Sequence, residues 1–131
     1  MRKIPAPRVM PEAKPYWDAA SAGQLLVKRC TDCGEAHHYP RDVCPFCLSL
    51  ATEWVKASGG GTLYTFSTMG QGEDAYTLAY VTLDEGVTLM TNLVDCDPAK
   101  ARIGDRVRVK FEPTEGGAAV PVFTLEQGAG A

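Results

Sequence analysis

The run CTDCGEAHHYPRDVCPFC, residues 30–47, decides how this chain folds. It holds two C-x-x-C pairs, Cys30/Cys33 and Cys44/Cys47, with ten residues between them. A C-x-x-C turn folds its backbone into a knuckle that aims two thiolates at one metal ion. Two knuckles complete the four-sulfur tetrahedral shell of a structural Zn²⁺. With four sulfurs bound, no position is left for a catalytic water, so such a metal holds shape and performs no chemistry. Cys30, Cys33, Cys44 and Cys47 are the expected ligands. Iron also accepts four thiolates, and Cys44-Pro45-Phe46-Cys47 has a rubredoxin look, so iron stands as the alternative metal. A disulfide framework is disfavoured for a chain in a reducing compartment. A thioredoxin-like redox pair lacks its βαβ surroundings. Four cysteines make His37 and His38 redundant as ligands, and both are expected at the surface. Gly34 follows the first knuckle, where a positive φ is useful; Leu48 takes the same place after the second.

Working outward, Gln24–Arg29 reads as a strand entering the first knuckle. Thr52–Ala57 reads as a strand leaving the second, with Trp54 placed over the metal site. Upstream, Pro15–Ala22 (PYWDAASA) reads as two turns of helix, with Pro at its start and Gly23 as its stop. Tyr16, Trp17 and Ala20 make an apolar stripe for its own domain or for a partner. Residues 1–14 hold three prolines and read as an extended arm.

Beyond residue 57 the chain turns all-β. Ser58–Gly61 reads as a flexible hinge. Thr62–Met69, Ala75–Leu83, Val87–Val94, Arg106–Phe111 and Pro121–Glu126 read as five strands. A loop at 70–74, a turn at Asp84-Glu85-Gly86 and a short helical crossover after Asp97-Pro98 connect them. The tail 127–131 is expected to be disordered. Five strands with that crossover fit an OB-fold barrel, where a β-sandwich would need more strands. The expected fold is mainly β: a short N-terminal helix and a rubredoxin-like zinc ribbon, then a five-stranded OB-fold barrel. The expected divisions are arm and helix at 1–23, zinc ribbon at 24–57 and barrel at 58–127. Tyr64, Phe66, Tyr76 and Tyr80 fall at strand period and are expected in the barrel core. Arg106, Arg108 and Lys110 form an outward row opposite Val107, Val109 and Phe111, which suits a charged edge strand or an anionic ligand.

At 131 residues, 45% hydrophobic and 22% charged, the chain is one domain or two very small ones. No apolar run approaches a membrane span, and the N-terminus lacks the apolar stretch of a secretory signal. Reduced thiols then imply the cytoplasm. The net charge of −3 argues against nucleic acid, which demands a basic face. No Ser/His/Asp set, nucleophile elbow or nucleotide loop is present; Gly59-Gly60-Gly61 lacks the Lys and helix of a phosphate cradle. Cys96 sits between Asp95 and Asp97, whose charges suppress its thiolate, so it reads as a structural thiol.

Segments along nearly the whole chain resemble one family, the acyl-CoA-associated zinc-ribbon/OB-fold proteins, formerly a domain of unknown function. They are the helix PYWDAASAG, the strand and knuckle LLVKRCTDCG, YPRDVCPFC, TEWV, SGGGTLYTFS, VDCDP and IGDRVRVKF. The resemblance implies a non-catalytic accessory subunit of a CoA-thioester enzyme: a thiolase-like acyltransferase, an aldolase or a hydratase. In such proteins the ribbon and helix form much of the interface, and the barrel helps contain the pantetheine arm of an acyl-CoA. Here the ribbon and helix 15–22 are then the expected docking surface, and Arg106, Arg108 and Lys110 the expected contacts to coenzyme A phosphates. A single-stranded nucleic-acid module is the second reading, and rubredoxin-like electron transfer the third.

Overall fold

The first cysteine ends a strand. The computed structural model describes residues 7–126 other than 39, 71, 73, 74 and 116. In it β1 (Leu26–Cys30) pairs antiparallel with β3 (Thr52–Lys56) on one side and with the short β2 (Ala36–His37) on the other. The two-residue β2 has no sequence signal of its own. The register sets Cys30 opposite Thr52 and Lys28 opposite Trp54. Trp54 therefore stands one same-face pair, roughly 7 Å, down the sheet from the cysteine. The Lys28 ammonium lies 4.4 Å from its ring centroid, and the indole packs on the core.

The helix α1 (Lys14–Ser21) follows a 3₁₀ turn at Pro11–Ala13 and stops at Gly23, whose φ of 81° continues no helix. Its Tyr16 and Ala20 are buried, and it packs on its own domain, against β1 and the final strand. Ser21 Oγ accepts a hydrogen bond from the Ala119 N–H at 3.2 Å. Upstream, Glu12 accepts from the Asp42 N–H at 3.1 Å, tying the arm to the loop before the second knuckle. Residues 1–6 of the expected arm lie outside the described residues, as do the tail 127–131 and Gln71, Glu73 and Asp74 of the 70–74 loop.

The barrel comprises β4 (Gly60–Met69), β5 (Tyr76–Leu83), β6 (Thr88–Leu93), β7 (Arg106–Glu112) and β8 (Val120–Leu125), closed in the order β4-β5-β6-β8-β7. The contact of β6 with β8 is parallel, at Leu93 and Phe123, as the crossover requires. Asp97 caps that crossover by accepting from the Ala99 N–H. Closure changes three expectations. Neither β7 nor β8 is an edge, since each has a neighbour on both sides. The glycine hinge is largely strand: Gly60 and Gly61 are buried in β4, and Gly59 accepts from the Val109 N–H at 2.7 Å. A Cβ on Gly61 would sit 2.8 Å from the Thr82 carbonyl oxygen, so these glycines permit a close strand approach.

The third change concerns the aromatics. Tyr64 and Tyr80 are exposed, and Phe66 and Tyr76 half-buried. The inward face of β5 is Thr77, Ala79, Val81 and Leu83. A five-stranded barrel has a narrow bore, which small and branched side chains fill better than four large rings. Leu63, Val81, Leu83, Leu89, Val107 and Phe123 line it, and the same cluster runs on through Leu25, Val27 and Ala57 of the ribbon to Tyr16 of the helix. Ribbon and barrel thus share one core.

Candidate metal centre and docking surface

The two knuckles close on the same backbone bond and differ in which N–H meets the first sulfur. In the first, the Cys33 N–H points at Cys30 Sγ at 3.5 Å, and the Gly34 N–H donates to the Cys30 carbonyl at 2.9 Å. In the second, the Phe46 N–H points at Cys44 Sγ at 3.4 Å, and the Leu48 N–H donates to the Cys44 carbonyl at 2.9 Å. Gly34 and Leu48 both take left-handed backbone, at φ 79° and 66°. The turns interleave, with Cys30 Sγ 3.6 Å from Cys47 Sγ and Cys33 Sγ 3.7 Å from Cys44 Sγ. All four sulfurs lie within 4.8 Å of one another. A tetrahedron of sulfurs about 2.3 Å from a central zinc has edges of about 3.8 Å, so the donors fit one such ion.

Without metal the Cys30 and Cys47 thiols shift in opposite directions. The Cys33 N–H lowers Cys30 to about 7, against burial, which raises it. For Cys47 the Ser49 N–H works downward but is outweighed by the Cys30 thiol, burial and the other sulfurs, and the group is pushed up to about 12. A metal must displace the protons of such high thiols, so its hold weakens in acid.

His37 and His38 are not surface groups. His37 is buried and accepts from the Arg41 N–H at 3.3 Å. His38 Nε2 lies 3.1 Å from the Tyr16 hydroxyl, and burial, then the charge of His37, holds its imidazole down to about 4. Both stand outside the sulfur cluster. Cys96 is half-buried, and its thiol is raised by burial first and by Asp95 and Asp97 after.

The two knuckles differ in what they show to solvent. The first presents Thr31 and Asp32. Around the second, Phe46 is 63% exposed, Leu48 75% and Leu50 76%, with Val43 beside them. Leu50 and Val43 escape a reading that stops at the cysteines. The available signal is the apolar alternation Phe46, Leu48, Leu50 in a stretch that forms no strand.

The cations on β7 are engaged. Arg106 donates to both Asp84 oxygens, at 2.8 and 2.9 Å. Lys110 bonds Asp95 and lies 3.0 Å from Glu112. Arg108 has the loosest tie, 3.7 Å to Glu126, and the most exposed side chain of the three. A cleft of about 370 Å³ opens between the ribbon and the β5–β6 turn, lined in part by Val27, Arg29, Glu35, Val55 and Glu85.

A metal-sized S₄ ribbon joined through a shared core to a closed five-stranded barrel defines a zinc-ribbon/OB-fold protein. Family models agree at both ends: "ChsH2, rubredoxin-like zinc ribbon domain" matches residues 17–53 and "ChsH2, C-terminal OB-fold domain" residues 54–112. The chain is 33% identical over 94 residues to a DUF35 domain-containing scaffold protein of Methanothermobacter thermautotrophicus, covering 66% of this chain and 71% of that one. It is 32% identical over 124 residues to a probable enoyl-CoA hydratase alpha subunit of Thermomonospora curvata, covering 91% of this chain and 39% of that one. The chain thus spans well under half the length of that relative. Among solved structures, a chain of the Ltp2-ChsH2(DUF35) aldolase superposes with a TM-score of 0.81 at 31% identity, covering 91% of this chain and 98% of that one. The protein belongs to the ChsH2/DUF35 family of zinc-ribbon and OB-fold proteins. In that family's ribbon, four clustered thiols support a structural zinc.

Proposed function

We propose that the chain is a non-catalytic accessory subunit of a CoA-thioester enzyme in the cytoplasm, docked through its zinc ribbon. The observation that carries this is Leu48. Left-handed backbone costs a branched L-residue about 1–2 kcal/mol relative to glycine, which the first knuckle uses at the same place. Leu48 bears that cost while its side chain is three-quarters exposed, so it gains no packing within the chain. Strain kept without internal return points to a contact made elsewhere. With Phe46 and Leu50 it forms an apolar tip braced by the metal, the kind of rigid anchor on which binding energy concentrates.

In this reading Cys30, Cys33, Cys44 and Cys47 are the zinc ligands, and the divisions are arm and helix (1–23), ribbon (24–57) and barrel (58–127). The helix, whose apolar stripe packs internally, supports the ribbon and leaves the docking to the knuckle. The names of relatives as a hydratase subunit, a scaffold protein and part of an aldolase support a partner that works on CoA thioesters: thiolase-like, aldolase or hydratase. The barrel helps close that partner's acyl-pantetheine site against water. Of the three β7 cations, Arg108 is the phosphate contact the geometry favours, since Arg106 and Lys110 hold carboxylates closely.

Tagged purification from the native organism at moderate salt tests the proposal. A CoA-thioester enzyme should co-elute in near-equal amount from the wild type and be lost from a Phe46→Ser/Leu48→Ser chain. Recovery of the chain alone, or equal recovery of the enzyme by the double variant, refutes it.

A further inference from the structure

The outer wall of the barrel carries a second apolar surface, built on different elements from the knuckle. The register places Thr65 of β4 opposite Tyr80 of β5, and Tyr80 opposite Met90 of β6. Between Leu63 and Thr65 the β4–β5 ladder slips by one residue. Tyr64 is the extra residue of this bulge and is turned outward beside Tyr80. On the other side of β4 the ladder continues past β7: Leu63 N–H donates to the Asp105 carbonyl and Gly104 N–H to the Leu63 carbonyl, both at 2.8 Å. Ile103 therefore arrives next to Tyr64. Ile103 (69% exposed), Tyr64 (62%), Tyr80 (40%) and Met90 (58%) form one row across four neighbouring segments. At the usual strand spacing the row is roughly 14 Å wide.

One flank of this row is uncharged across β4 to β6: Thr62, Thr82 and Thr88 lie side by side there, the last two sharing a 2.8 Å hydrogen bond. Apolar and aromatic side chains bordered by hydroxyls are the make-up of a protein–protein contact core, in which tyrosine and methionine are over-represented. The wall is convex, which suits a macromolecular surface better than a small ligand. On the β7 side Thr62 meets Arg106, which Asp84 neutralises; further charge lies at the Ile103 end. Lys100 and Arg102 precede Ile103 in the chain, both exposed, and among the described residues neither joins an ion pair, whereas every β7 cation does. Two copies of this chain paired about a two-fold axis would set those cations against the Met90 end of the other copy, where Thr88 and Asn92 flank Met90 on its strand and no carboxylate does.

We infer that the Ile103–Tyr64–Tyr80–Met90 row is a docking surface for a different protein, one presenting an apolar patch with carboxylates at the end that meets Lys100 and Arg102. It is separate from the knuckle, and its test is independent of that reading.

A photo-reactive benzophenone amino acid in place of Tyr80, in the full chain expressed in the native organism, tests this, with the same group at the exposed Asp18 as control. The expected result is an adduct with a different protein from position 80, absent from position 18. The cross-linked peptide should lie within an apolar and acidic stretch. Lys100→Glu/Arg102→Glu, which breaks no ion pair among the described residues, should cut the adduct at least five-fold, while Phe46→Ser/Leu48→Ser leaves it intact in the purified cross-linked pair. An adduct only to a second copy of this chain, an adduct to nucleic acid, or a yield no higher than at Asp18 overturns the inference. So does an adduct indifferent to the charge reversal.

Discussion

The two knuckles of the ribbon share one backbone and differ in everything they show to solvent. Both aim one backbone N–H at the first cysteine's sulfur, from Cys33 in one and Phe46 in the other, and both end on a left-handed residue whose N–H returns to the first cysteine's carbonyl. The first keeps the inexpensive solution, Gly34, and polar flanks. The second keeps Leu48 in the costly conformation and surrounds it with Phe46 and Leu50. What the two have in common is what a metal needs, and where they part is where the proposed partner contact lies.

The common part gives the largest expected effect. Cys33→Ser in one knuckle and Cys47→Ser in the other should be equally damaging, because a structural zinc contributes on the order of 10 kcal/mol to such a unit. Metal analysis should find the zinc lost and circular dichroism the ribbon unfolded. The barrel should melt lower too, since Leu25, Val27 and Ala57 belong to its core. Full zinc content with an unaltered melting curve in either variant would break the equivalence.

The difference between the knuckles predicts the next effect. Phe46→Ser/Leu48→Ser should lower affinity for the co-purified enzyme roughly 100-fold, about 3 kcal/mol, with zinc content and melting temperature unchanged. Thr31→Ala/Asp32→Ala in the first knuckle should leave that affinity alone, as titration calorimetry can show.

Between the knuckles, His38 supplies a pH dependence. Its imidazole is held near 4 in the folded chain against an ordinary 6.5. The unfolded chain therefore binds a proton that the folded one refuses. Its stabilising effect is fully present above about pH 6.5 and is lost as pH falls from 6.5 towards 4. An NMR titration should find the His38 ring neutral at pH 5.5; a midpoint near 6.5 would contradict its burial beside Tyr16.

The smallest effect is the exchange of the two terminators. Gly34→Leu should cost about 1–2 kcal/mol for the left-handed backbone, with nothing gained in packing because a Cβ there meets open space. Chemical denaturation of the zinc-loaded protein measures it.

The metal site was legible because spacing sets it: two C-x-x-C pairs close together supply all four donors, which need no distant partner. The barrel was legible as five strands separated by turn signals. Its facing was not. On β5 both parities are apolar, Tyr76, Leu78 and Tyr80 against Ala79, Val81 and Leu83, so periodicity favours neither side. The bore of the closed barrel, a property of all five strands together, chooses the smaller set. The glycines at 59–61 read as flexible because the sequence cannot say that Thr82 passes within van der Waals reach of Gly61. His37 and His38 read as surface groups for the same kind of reason: only the folded chain sets His38 beside Tyr16 and the Arg41 N–H on His37. Leu48 was visible as a departure, and its meaning needed its φ and its exposure together.

Leu48→Gly sets the two halves of the account against each other in one molecule, with thermal melting and partner affinity measured on the same preparation. Relief of backbone strain should raise the melting temperature by roughly 3–5 °C, the shift expected for about 1 kcal/mol in a domain of this size, while affinity for the co-purified enzyme falls about ten-fold. Unchanged affinity, with or without the gain in stability, would contradict the claim that the second knuckle is where this protein meets its partner.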